Sequence, residues 1–92
     1  MSFYEFNEFE IPDYMGAGIK NYINHGRKPG DFLTAVIQNK LIQAIQTADS
    51  TNIKNLQAYA MYFYWEVPSI AWGSEEKMKA WIDRNGLEGE IK

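Results

Sequence analysis

Between His25 and Phe32 the chain reads His-Gly-Arg-Lys-Pro-Gly-Asp-Phe, and this stretch fixes where the polypeptide must reverse. Gly26 suits the left-handed position that closes a helix, because it has no Cβ to strain there. Pro29 suits the first turn of a following helix, where its missing N–H has no intrahelical partner to lose. One helix therefore ends and another begins almost at once. Arg27 and Lys28, with Gly30 close behind, then stand beside free backbone N–H groups at the positive end of a helix dipole. That combination is what an anion site requires. The same residues also read as an ordinary interhelical turn carrying two solvated cations.

A chain of 92 residues has room for one core, so residues 1–92 are read as a single domain. The periodicity predicts an almost purely helical protein. Residues 1–11 alternate aromatic and acidic side chains without a visible strand partner, and a single strand is not stable alone, so they are predicted to form an extended arm. The first helix is predicted from Pro12 to His25, with Met15, Ile19, Tyr22 and Ile23 on its buried stripe. Gly16 and Gly18 inside it imply either a marginal helix or a close approach by another backbone or a flat ligand. The second helix is predicted from Pro29 to Ala48. Its buried face holds Leu33, Val36 or Ile37, Leu41, Ala44, Ile45 and Ala48, widened by Phe32 and Ile42. The third runs from Thr51 to Glu66, stopped by Pro68, with Ile53, Leu56, Ala60, Phe63 and Tyr64 inward. After a turn over 68–73, Ser74 caps a last helix that docks through Met78, Trp81 and Ile82 and ends at Gly86. Residues 87–92 are predicted to fray. The expected fold is thus all-α: four helical segments, mostly antiparallel, in one compact domain with an N-terminal arm.

Composition excludes several chemistries. There is no cysteine, hence no disulfide, thiolate nucleophile or cysteine-ligated metal. The single histidine, His25, has no sequence partner for a triad and reads as a cation in the last turn of a helix. No phosphate-binding glycine motif or nucleophile elbow is present. The expectation is a non-enzymatic protein with no metal and no cofactor. The net charge of −3 without a basic stripe argues against duplex DNA. It is unevenly spread: over residues 11–65, five basic against three acidic residues leave +2, so the acidity lies at the ends. No run approaches 18 apolar residues and the N-terminus lacks the charge pattern of a secretory signal, so the expected location is cytoplasmic.

Aromatic residues make up 15% of the chain, more than a small core needs, which points to an additional surface and to a homo-oligomer. Tyr62 and Trp65, in the run Tyr-Phe-Tyr-Trp, and Phe6 and Phe9 of the arm are the candidate interface residues. Tyr14, at the entry to the first helix, is the candidate for stacking on a base. Brought by a symmetric neighbour to Arg27 or Lys28, it would complete a site for a nucleotide.

Taken together, Ile11-Pro12, Met15, Tyr22-Ile23, Gly26, Pro29-Gly30, Phe32-Leu33, Ala35-Val36, Asn39, Leu41, Ala48-Asp49, Asn52, Tyr62, Pro68, Trp72-Gly73-Ser74 and Trp81 resemble small uncharacterised proteins of tailed bacteriophages. The likeness spans about residues 11–82 and is densest at P-G-x-F-L-x-A-V and W-G-S. Those motifs are helix starts and packing residues, so they speak to fold more than to function. Small phage proteins are often counter-defence factors, and the chain is similar in size and helical layout to the anti-CBASS sponges, symmetric oligomers that sequester cyclic oligonucleotides. That resemblance implies a cytoplasmic protein of an infected bacterium that sequesters a small cyclic nucleotide, with Tyr14 stacking and Lys28 contacting phosphate. Two alternatives stand beside it. One is an anti-CRISPR-like inhibitor that docks on a host protein through Glu5, Glu8 and Glu10 or the 62–65 aromatics. The other is a structural or housekeeping phage protein.

Overall fold

The acidic, aromatic N-terminus does not trail as an arm; it pairs with itself. In the computed structural model, which describes residues 2–90, strand β1 (Ser2–Phe6) runs antiparallel to β2 (Phe9–Pro12). The reversal at Asn7 uses a left-handed residue, φ 54°, a conformation that asparagine tolerates better than most. Tyr4 pairs with Ile11, Glu5 with Glu10 and Phe6 with Phe9. Alternation puts Tyr4, Phe6, Phe9 and Ile11 on the inward face and Glu5 and Glu10 on the solvent face, and a register shift between Ser2 and Tyr4 lets Phe3 turn inward as well. The fold is therefore mostly helical with a small sheet rather than purely α.

Six α-helices follow. A 3₁₀ turn over Asp13–Met15 leads into α1 (Gly16–His25), which Gly26 closes in the left-handed conformation at φ 66°, as predicted. The predicted 29–48 helix is two helices, α2 (Asp31–Ile37) and α3 (Leu41–Thr47). They are separated at Asn39, which adopts φ 62°. The predicted 51–66 helix is also divided. Asp49 caps α4 (Ser50–Lys54), accepting the Asn52 N–H at 2.7 Å, and a break at Asn55 precedes α5 (Leu56–Glu66). A 3₁₀ turn over Ser69–Ala71 precedes α6 (Glu75–Asp83), whose N-cap is Ser74, as predicted. Residues 86–90 do not fray: they form a 3₁₀ segment packed on α1. The expected fraying of 91–92 lies outside the described residues.

The core is built from Ile11, Ile19, Tyr22, Phe32, Leu33, Ile37, Tyr59, Phe63, Met78 and Trp81. Its polar atoms are paired. Tyr22 donates its hydroxyl to the Ala71 carbonyl at 2.6 Å, and Trp81 Nε1 donates to the Tyr22 carbonyl at 3.0 Å. Tyr59 donates to Asn52 Oδ1 at 2.5 Å. Among the described residues no buried side-chain polar atom lacks a partner. Burial raises the phenol pKa values of Tyr22 and Tyr59 well above 10, so both remain donors at any pH where the protein folds.

The hairpin lies on α5 and its ring stack ties it there. Phe3 and Tyr4 meet Tyr62 edge-on at 5.3 and 5.1 Å. Phe3 also explains Gly16: a Cβ at that position would come within 2.8 Å of Phe3 Cδ1. The close approach inferred from the glycines is thus made by the chain's own aromatic ring. Gly18 has only ordinary space around it, with Leu33 Cδ1 at 3.7 Å.

Candidate functional site

The break at Asn39 decides what the surface looks like. In one continuous helix Leu41 and Ile45 would extend the buried line of Leu33 and Ile37 at helical spacing. After the turn, α3 packs chiefly on α2 and buries only Ala44. Leu41, Ile42 and Ile45 are left 61, 65 and 43% exposed. The predicted inward face of α5 is rotated as well. Tyr59, partly outside the predicted stripe, is fully buried, whereas Ala60 and Tyr64 face outward.

Between α3 and α5 lies an apolar groove of about 100 Å³. Ala35 and Val36 of α2, Leu41 and Ala44 of α3, and Leu56, Ala60 and Phe63 of α5 line it, and Trp72 closes one end. Tyr64 follows Ala60 by four residues and therefore extends the same wall. It stacks edge-on with Trp65 at 4.9 Å. Neither wall carries a charge: residues 41–48 and 55–65 contain no Asp, Glu, Lys or Arg. At the rim Lys40 is ion-paired with Glu75.

The residues predicted to form an anion site are spread apart. Pro29 precedes α2 rather than opening it, and Gly30 is the N-cap, with φ −68° and ψ 178°. Arg27 and Lys28 therefore lie outside the helix they were expected to flank, and Asp31 occupies its first turn. They also serve different hollows. Arg27 borders one with His25 and Glu88, whose side chains are hydrogen-bonded. Lys28 borders another with Lys40, Asp31 and Glu75. Each hollow already holds a carboxylate, which opposes an anionic ligand. Tyr14 lines neither. It is 61% exposed and donates its hydroxyl to Asp49 Oδ2 at 3.0 Å. Partial desolvation, reinforced by the Asp49 carboxylate, raises its pKa.

The four predicted interface residues also separate. Tyr62 is half-buried beneath the hairpin, where burial pushes its phenol up to about 12. Phe6 and Phe9 pack on the core from the hairpin, and Trp65 is exposed. Glu5, Glu8 and Glu10 are all exposed on the hairpin. The groove itself escaped sequence reasoning because its residues fit a buried stripe. The local signs were the widening of the stripe by Phe32 and Ile42, which implied a second covered surface, and Asn39, a residue that tolerates the left-handed turn.

Among the described residues no group of three or more His, Asp or Glu side chains is placed to hold a metal ion, and no helix is long and apolar enough to cross a membrane. No family model, curated protein or solved structure matches the chain.

Proposed function

We propose that this chain is a non-enzymatic binding protein that docks on another polypeptide through the α3–α5 face. One observation carries the reading: Leu41, Ile42 and Ile45 stand open beside an apolar groove whose α3 and α5 walls carry no charge. Depletion of charge and enrichment in large apolar side chains mark the centre of protein interfaces, and a contiguous exposed patch of this kind marks a contact site. A photo-crosslinking amino acid at position 45, in cells expressing the full chain, tests it. Polypeptide adducts are expected at Ile45 and not at a control position, Glu5 on the hairpin. Absence of any adduct at 45 overturns the reading.

A second reading, sequestration of a small cyclic nucleotide at an intersubunit site, is favoured by one fact. Among the described residues Arg27 and Lys28 are exposed and make no ion pair. A thermal-shift screen against cyclic and linear nucleotides separates the two. Sequestration requires a saturable rise in Tm that disappears in Arg27→Glu/Lys28→Glu and weakens in Tyr14→Ala. Unchanged melting with every nucleotide removes it.

A further inference from the structure

We infer that the occupant of the α3–α5 face is a second copy of this chain, seated about a two-fold axis with Ile42 and Ile45 of each subunit entering the other's groove. The inference rests on the docking reading above and names its partner.

Four features of the surface point to self-association rather than to a foreign protein. The first is charge. The chain is net acidic at −3, so two copies repel over most of their surface. The α3–α5 face is the place where they can meet with the least juxtaposition of like charges, because residues 41–48 and 55–65 hold no Asp, Glu, Lys or Arg and Lys40, which borders the groove, is paired with Glu75. A face shaped for a foreign partner gains selectivity and speed from complementary charge, and this one offers none.

The second is shape. A two-fold interface must be self-complementary, with each surface supplying both the projection and its receptor. Here the two lie side by side. Ile42 and Ile45 project from α3, and the adjoining groove is walled partly by alanines, Ala35, Ala44 and Ala60.

The third is extent. Leu41, Ile42, Ile45 and Tyr64 leave on the order of 450 Å² of side chain open, taking about 200 Å² for each when fully exposed. A standard interface covers about 800 Å² per partner, about 60% of it apolar, and so needs about 500 Å². The fourth is layering. The hairpin covers one side of α5, whereas the groove side has no layer above it. The apolar spacing along 33–45 is that of a buried stripe, and a single chain buries only its first half.

The full chain, purified and followed by sedimentation across the micromolar range, tests the inference. A species of twice the 10.7 kDa chain mass is expected. Ile42→Glu/Ile45→Glu attacks the projections, and because both positions are exposed, its circular dichroism should match the parent, and its urea midpoint should match that of the parent diluted to the monomer. Ala60→Phe fills the receptor while leaving α3 intact. Each variant is expected to weaken dimerisation at least about tenfold. A parent that stays monomeric, or a dimer that survives either variant, overturns the inference. If the parent is monomeric while the crosslinker at 45 still captures a different polypeptide, the docking reading stands and the second copy falls. With neither dimer nor adduct, both fall.

Discussion

Replacing Trp81 by alanine is expected to lower stability by about 3–5 kcal/mol, the usual range for removing a buried indole. A domain of this size is stable by only about 5–14 kcal/mol, so the variant should lose about a third or more of its stability. Trp81 is 1% exposed and joins three parts of the chain. It belongs to α6 and fills the core beside Met78. Its Nε1 donates to the Tyr22 carbonyl of α1, and Tyr22 in turn donates its hydroxyl to Ala71 before α6. The Tyr22 carbonyl also accepts the Gly26 N–H at 2.9 Å, so loss of the indole leaves it half-satisfied rather than orphaned. The cavity is therefore the larger part of the cost. Trp81→Phe separates the two contributions: it keeps most of the volume, loses the hydrogen bond, and should cost about 1–2 kcal/mol. Urea titration of both variants reads the difference as a shift in midpoint at constant slope. Equal losses in the two variants would show that the hydrogen bond, and not packing, is what Trp81 supplies.

Where the chain carries punctuation with a strong backbone preference, the sequence was legible. Gly26 closes α1 in the left-handed conformation, Ser74 caps α6, and Pro68 stands just past the end of α5. His25 ends α1 as predicted and meets Glu88. The breaks that went unread are at asparagines. Asn7 and Asn39 adopt positive φ, and Asn55 interrupts the 51–66 segment. Asparagine tolerates these conformations without requiring them, so tertiary packing decides which asparagines turn the chain. The hairpin was hidden for a related reason. Its turn, Asn7-Glu8, lacks the following glycine that would announce a tight reversal.

The same ambiguity governs the candidate site. Apolar periodicity reports that a face is covered, but not by what. Over residues 33–45 it is continuous, and the natural reading is one helix on one core. Once Asn39 turns the backbone, Phe32, Leu33 and Ile37 stay inside while Leu41, Ile42 and Ile45 emerge. The groove is thus a consequence of a turn that residue type alone does not specify. In the basic octet the helix start lies later than the sequence suggested. Pro29 precedes the N-cap instead of following it, which moves Arg27 and Lys28 off the helix start and into hollows that already contain Glu88, Asp31 or Glu75.

Gly86→Ala is expected to cost about 2–5 kcal/mol, although it adds one methyl group to a residue near the end of the chain. Gly86 has φ 64°, where an L-residue incurs about 1–2 kcal/mol. The added Cβ would also lie 2.6 Å from the Ile23 carbonyl oxygen and 2.7 Å from the Gly26 nitrogen. These are backbone atoms of α1 and its cap, so no side chain can swing aside, and forced overpacking adds about 1–3 kcal/mol. Gly26 faces the same crossing from the other side, its Cβ position 2.8 Å from the Gly86 nitrogen. Two left-handed caps thus press backbone to backbone, and this is what holds the 86–90 segment on α1. Gly18→Ala is the matching control. It lies inside α1 with ordinary space around it, and it should raise stability by about 0.5–1 kcal/mol through helix propensity and a less flexible unfolded chain. Urea midpoints moving in opposite directions for these two glycine-to-alanine changes would locate the constraint at the crossing. A neutral Gly86→Ala would mean that 86–90 does not pack on α1 as described.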